Sequence, residues 1–197
     1  DGSILGLGLG RAIVEYDWRG RKTWEFAWPG AFPHHDVIRL ADGHTLAIWM
    51  LQREGVDALV EVDRAGRVVW SWRAVDHLGP LLPRRSAHQH DVTHLNSVQE
   101  LPGNPWWAAG DRRFRPGNLL VSARNLDLVF VVERASGEVV WSYREGLERQ
   151  HEALMNGPGA AAPGAIQIFN NRPGSFASGA RSWRSSARPS LDASPTR

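Results

Sequence analysis

Three short segments place an imidazole directly before a carboxylate: His34-His35-Asp36, Gln89-His90-Asp91 and Gln150-His151-Glu152. In the second, the run AHQHDVTHLNS adds His88 and His94, then Asn96 and Ser97, a density of imidazole and amide beyond what packing requires. The central histidines follow a tryptophan by 11 residues (Trp24 to His35), 20 (Trp70 to His90) and 10 (Trp141 to His151). The spacing makes them equivalent positions of a repeat, with a longer loop in the second copy. An imidazole can hold a metal, shuttle a proton or attack an electrophile. The plain alternative is a polar residue inherited with its repeat and bonded to a neighbouring carbonyl. Arg124 ends the run GNLLVSARN, where Leu119, Val121 and Ala123 alternate with Leu120, Ser122 and Arg124. A guanidinium there is either a rim ion pair or a fixed fork for a tetrahedral oxyanion.

Several chemistries lack their residues. No His-Glu-x-x-His pattern is present, and adjacent His-Asp pairs on a strand point to opposite faces, which weakens a zinc or iron site without removing a metal-dependent hydrolase as an alternative. No Gly-x-Ser-x-Gly elbow supports a serine hydrolase. GLGLG near the start has neither a following helix nor the Lys-Ser/Thr of a phosphate-binding loop. Histidines with an arginine suit nucleophilic transfer of a group whose oxygens carry negative charge: one imidazole attacks, and the cations hold the equatorial oxygens.

Positioning such residues requires a fold that gathers equivalent repeat positions. RAIVEYDWRGRKTWEF, ALVEVDRAGRVVWSWR and VFVVERASGEVVWSYR each run from apolar alternation through an acid to a turn glycine (Gly20, Gly66, Gly137), with Trp24, Trp70 or Trp141 four residues later. Each reads as a β-hairpin. In the second, the alternation predicts Val60, Val62, Val68, Trp70 and Trp72 on one face. A further strand pair follows each hairpin, so the unit offers about four strands, the blade of a β-propeller. The glycines lie 46 and 71 residues apart, the longer interval holding the insertion PGNPWWAAGDRRFRPG. The expected fold is therefore all-β, with antiparallel four-stranded blades, about three of them in residues 1–172, and a degenerate tail at 173–197. The repeated tryptophans are expected to pack between blades. Trp106 and Trp107, in the insertion, either pack their loop or grip an aromatic ligand.

Composition sets the outer limits. The 197 residues are 42% hydrophobic, and 23 basic and 21 acidic side chains leave a formal charge of +2. Such balance gives little reason to expect nucleic acid as a partner. No apolar run approaches membrane-spanning length, and no leader segment is expected at residue 1. Without cysteine there are no disulfides and no thiolate metal sites. Three blades leave sheet edges open, which predicts either further blades in a longer protein or association between copies.

HHDVIRLADGHTLAI, DVTHLNSVQELPGN, FRPGNLLVSARNLDLVFVVERASGEVVW and QHEALM…GAIQIFNN, in that order, resemble the bacterial arylsulfotransferase family over roughly residues 11 to 172. The resemblance implies a six-bladed propeller, of which this chain looks like a partial copy. It implies transfer of a sulfuryl group from a phenolic sulfate ester to a phenol through a sulfated histidine. No cofactor or nucleotide donor is used, and the location is periplasmic. By motif, His151 would be the nucleophile, His94 and Arg124 would neutralise the sulfuryl oxygens, and His35 would do the same or protonate the phenolate. Asn96 would hold His94. A non-catalytic propeller-type binding module remains the alternative. IFNNR departs from the aromatic, Asp/Asn, Asn-Gly pattern usual near the last motif.

Overall fold

The structure is a computed structural model that describes residues 2–8, 11–82 and 91–171; the expected tail at 173–197, and His88, Gln89 and His90, lie outside them. Among the described residues the fold is all-β, as expected. The first sheet is β1 (Ser3–Gly8), β2 (Ala12–Asp17) and β3 (Lys22–Phe26). The second runs β4 (Ala31–Arg39), β5 (Thr45–Leu51), β6 (Val56–Val62) and β7 (Val68–Arg73), and a short helix α1 (Ala74–His77) follows it. The third contains β8 (Leu95–Glu100), β9 (Leu119–Ala123), β10 (Leu128–Val132) and β11 (Val139–Tyr143), with α2 (Pro105–Ala108) between its first two strands. β12 (His151–Met155) and β13 (Ile166–Phe169) form a two-stranded sheet. Neighbours in sequence are neighbours in each sheet and every pairing is antiparallel, the strand order of propeller blades.

The cut between sheets differs from the expected one. Each Trp-bearing hairpin closes a sheet instead of opening one: β6 and β7 join β5 before them. Periodicity gives the length of a repeat but not its phase, which only ladder hydrogen bonds decide. In chain order, a three-stranded sheet is therefore followed by two four-stranded ones and then a two-stranded one.

The facing of the second hairpin also differs. Leu59 pairs with Trp72, Glu61 with Trp70 and Val60 with Ser71, so Val60 does not share a face with the tryptophans. The cause is a bulge: register passes from Glu61–Trp70 to Val62–Val68, leaving Val69 extra. One extra residue reverses every later side chain. Thr23 and Val140 are the extra residues at the same place in the other two hairpins. Each turn before the bulge contains a glycine at positive φ, Gly20 at 77°, Gly66 at 78° and Gly137 at 78°. Asp17 and Asp63 close their turns alike, each accepting from two backbone N–H groups through Oδ1.

Contacts divide the chain into two compact units, Asp1–Leu95 and Asn96–Arg197. In the first, Ile13, Ala47, Trp49, Ala58, Val60 and Val62 form a core between the first two sheets, with Trp24, Phe26 and Trp28 against it. In the second, Phe114, Leu120, Val129, Val131, Trp141, Met155 and others form the core beneath the last two sheets. Trp24 and Trp141 thus pack between adjacent sheets, as expected. Trp106 packs against the second core and donates Nε1–H to the Gly164 carbonyl at 2.8 Å. Gly164, at φ 75°, is required there: a Cβ would stand 2.7 Å from Trp106 Nε1. Loop packing is Trp106's role, while Trp107 is exposed.

Candidate active site

In the first unit the site begins with an interruption of β4. Pro33 still pairs with Trp49, but the next pair is Val37 with Ala47, so His34, His35 and Asp36 bulge out of the ladder. His35 sits in the left-handed region at φ 59°, a conformation that costs a non-glycine residue energy and is usually held only where surroundings enforce it. The enforcing group is Asp57, fully buried in β6, a strand buried along its whole length. Its Oδ1 lies 2.9 Å from His34 Nε2. Its Oδ2 accepts from Thr93 Oγ1 at 2.7 Å and Leu95 N–H at 2.6 Å, while its own N–H donates to Thr93 Oγ1 at 3.2 Å. One carboxylate thereby anchors both the β4 interruption and the segment that carries His94.

His34 Nδ1 lies 2.6 Å from His35 Nδ1, and the His35 ring meets His94 edge to face at 4.5 Å between centroids. His94, also left-handed at φ 48°, bonds Asp91 through Nδ1. Burial pushes the Asp91 carboxyl up, but the His94 hydrogen bond and the positive charge available to His94, His34 and His35 outweigh it and hold the group below the usual aspartate value. A recess of about 450 Å³ opens beside these groups, lined by Phe32, Met50, His34, His35 and Asp91 among others. The structure thus brings His35 and His94 together.

In the second unit Arg124 leaves the end of β9 and starts a 3-10 turn, Arg124–Leu126. Its Nη1 donates to Asn125 Oδ1 at 2.8 Å. His151 opens β12 between two left-handed residues, Arg149 at φ 47° and Glu152 at φ 50°, and the ladder to β13 is irregular at that point. The two segments are tied to each other. Arg149 N–H donates to Asp127 Oδ1 at 2.7 Å, and buried Gln150 donates through Nε2 at 3.1 Å to each of Ser122 Oγ, the Ala123 carbonyl and the Leu128 carbonyl. Asn171 Nδ2 lies 2.8 Å from both the Arg149 carbonyl and His151 Nδ1. Because that carbonyl can only accept, the amide presents its N–H₂ to it, and His151 Nδ1 lies 3.2 Å from the same carbonyl. Asn96 does not hold His94. It donates to the Gln150 carbonyl at 2.8 Å and so supports the residue before His151.

Two residues important to this geometry carried no role in the sequence reading. Asp57 was legible as a carboxylate inside the apolar run VDALVEV, since a buried charge requires partners. Gln150 was visible only as part of a triplet; its three acceptors come from β9, β10 and their connection, which no local pattern shows. A separate cluster, Asp42, His44 and Glu61, places one ligand atom of each within 4.8 Å of the others. The 2.7 Å bond from His44 Nδ1 to Glu61 Oε1 accounts for that closeness.

No curated protein matches the chain. Among solved structures, one described as a protein of unknown function from Bacteroides caccae superposes with a TM-score of 0.54 at 16% identity, covering 85% of this chain and 48% of that one. That likeness is one of fold, and this chain spans about half the length of its neighbour. A structure described as the Dos1 propeller matches with a TM-score of 0.39 at 11% identity, over 85% of this chain and 52% of that one. The family model described as Arylsulfotransferase (ASST) matches residues 1–155, a span that contains His35, His94, Arg124 and His151, and the chain belongs to that family.

Proposed function

We propose that the protein moves a sulfuryl group from a phenolic sulfate ester to a phenol through a sulfohistidine on His151. His151 nitrogen attacks sulfur, the S–O bond to the donor phenol breaks, and the released phenolate takes a proton. A second phenol then loses its proton and attacks sulfur, and the N–S bond breaks. His94 and Arg124 neutralise the sulfuryl oxygens as charge moves onto the leaving oxygen, and His35 protonates the released phenolate. The partners are small aryl molecules; no nucleotide, cofactor or nucleic acid takes part, and the reaction belongs to the periplasm. Family membership over residues 1–155 carries the reading. It is supported by strained backbone at His35, at His94 and on both sides of His151, since such conformations concentrate at functional sites.

The test is incubation with a ³⁵S-labelled aryl sulfate, rapid quench at alkaline pH, and mapping of the label. The expected result is one acid-labile sulfated histidine at His151, absent in His151→Asn. Label elsewhere, or none with the folded protein, removes His151 from the nucleophile role; none together with retained aryl sulfate binding supports a binding module.

A further inference from the structure

We infer that Asp57, His34 and His35 form a proton relay that serves the phenolic oxygen of substrates whose ring occupies the recess beside Phe32 and Met50. The inference deepens the sulfuryl-transfer reading and rests on it for the identity of the substrate. Its observations lie within the first unit. The Asp57 carboxylate is fully buried, and its Oδ2 is occupied by the Leu95 N–H and Thr93 hydroxyl, both donating. Its Oδ1 faces His34 Nε2 at 2.9 Å, so that nitrogen carries a proton and donates. In neutral His34 the opposite nitrogen, Nδ1, then holds a lone pair, and it lies 2.6 Å from His35 Nδ1. With His34 neutral, His35 then carries its proton on Nδ1, and Nε2 is its unprotonated nitrogen.

The chain of bonds converts His35 between base and acid without stranding a charge. When a phenol gives its proton to His35 Nε2, His35 passes the Nδ1 proton to His34 Nδ1. His34 becomes an imidazolium between His35 and the Asp57 carboxylate, and His35 is left neutral with its proton on Nε2. That form is the one required for the other half-reaction, in which Nε2–H protonates the departing phenolate and His34 returns the proton to His35 Nδ1. The proton gained from the acceptor phenol is the one given to the next donor's leaving group, so the cycle closes with no net change. The interruption of β4 serves this geometry, because only residues bulged from the ladder bring two adjacent rings to within 4.9 Å of each other. His94, bonded to Asp91, meets the His35 ring edge to face at 4.5 Å between centroids. The recess, about 450 Å³ with Phe32 and Met50 in its lining, offers apolar surface for an aryl ring next to that imidazole.

The test combines a readout that needs no turnover with one that does. Nitrogen-15 NMR of the imidazoles in the whole chain is expected to show His35 protonated at Nδ1 and bare at Nε2, with that preference lost in His34→Asn. His35 signals unchanged by His34→Asn overturn the relay. Thermal melts of His34→Asn confirm a folded sample; Asp57→Asn serves only as a second probe, because its amide leaves one oxygen to accept from three donors. In transfer assays, proton donation matters for phenyl sulfate, whose leaving group is basic, and little for 4-nitrophenyl sulfate. His34→Asn is expected to lose at least about tenfold more rate on the first donor than on the second, within the roughly 10²- to 10⁴-fold range of general acid–base catalysis. Equal losses on both overturn the relay and make His34 structural. Failure of either donor to label His151 in the unaltered protein sinks the sulfuryl-transfer reading instead, and the NMR comparison still decides the hydrogen-bonded chain.

Discussion

Gln150 ties the segment that carries Arg124 to the segment that carries His151. Its side chain is fully buried, its amide N–H₂ meets three acceptors at the ends of β9 and β10, and its own carbonyl is held by Asn96. The backbone on either side, Arg124 to Asp127 and Arg149 to His151, is thereby fixed. Replacing it with Leu, similar in bulk, strips three acceptors of a donor and frees His151 to shift. Such a shift of about 1 Å costs on the order of 100-fold in rate. The expected outcome for Gln150→Leu is a fall in kcat of that order with KM little changed, measured by aryl sulfate transfer. A fall in KM-dependent binding alone would place Gln150 outside the positioning of the nucleophile. The left-handed backbone at His35 and His94 was not legible in the sequence: a non-glycine residue adopts it in only a small minority of cases, and the bonds that accompany it, Asp57 to the neighbouring His34 and Asp91 to His94, are seen only in the fold.

At the scale of elements, the first unit is joined across its two sheets by Glu15 of β2. Its carboxylate accepts from Ser3 Oγ at 2.6 Å, from Arg39 Nη2 at 2.9 Å and from Arg64. Both guanidinium groups also lie over the Trp24 ring, at 5.5 and 5.7 Å. Burial pushes the Glu15 carboxyl up; the Ser3 and Arg64 hydrogen bonds and the charges of Arg39 and Arg64 outweigh it, and the group titrates below its ordinary value. A carboxyl depressed in the folded state adds stability that is complete above its unfolded value, about 4.3, and is lost as pH falls through the lower folded value. Melting temperature is therefore expected to fall as the solution is acidified below about pH 4, with a shallower dependence in Glu15→Gln. Identical slopes for the two proteins would show that Glu15 does not link the sheets. The hairpins themselves were legible, from Gly20, Gly66 and Gly137 and the acids before them. The bulges at Thr23, Val69 and Val140 were not, because an extra residue leaves the local alternation looking intact until its partner strand is known.

For the whole molecule, a covalent sulfohistidine predicts that donor phenol leaves before acceptor binds. Double-reciprocal plots at several acceptor concentrations are expected to be parallel, and intersecting lines would indicate direct transfer between the two substrates. Treatment with a chelator is expected to leave the rate unchanged, since side chains alone, His94 and Arg124 on the sulfuryl oxygens and His35 on the phenolic proton, carry the proposed chemistry; loss of activity restored by zinc would favour the hydrolase alternative. Among the described residues no helix is long and apolar enough to cross a membrane.

Alternation, turn glycines and the recurrence of tryptophan and histidine are short-range features, and from them the sequence by itself determined an all-β chain of antiparallel hairpins, while its ordered motifs pointed to the candidates His35, His94, Arg124 and His151. Sheet phase and side-chain facing depend on which strands pair and where their ladders bulge, and the side-chain partners of Asp57 and Gln150 lie more than twenty positions away. Such pairings are chosen by the free energy of burying whole faces and satisfying buried polar groups, which no local window contains, so only the tertiary structure decided them.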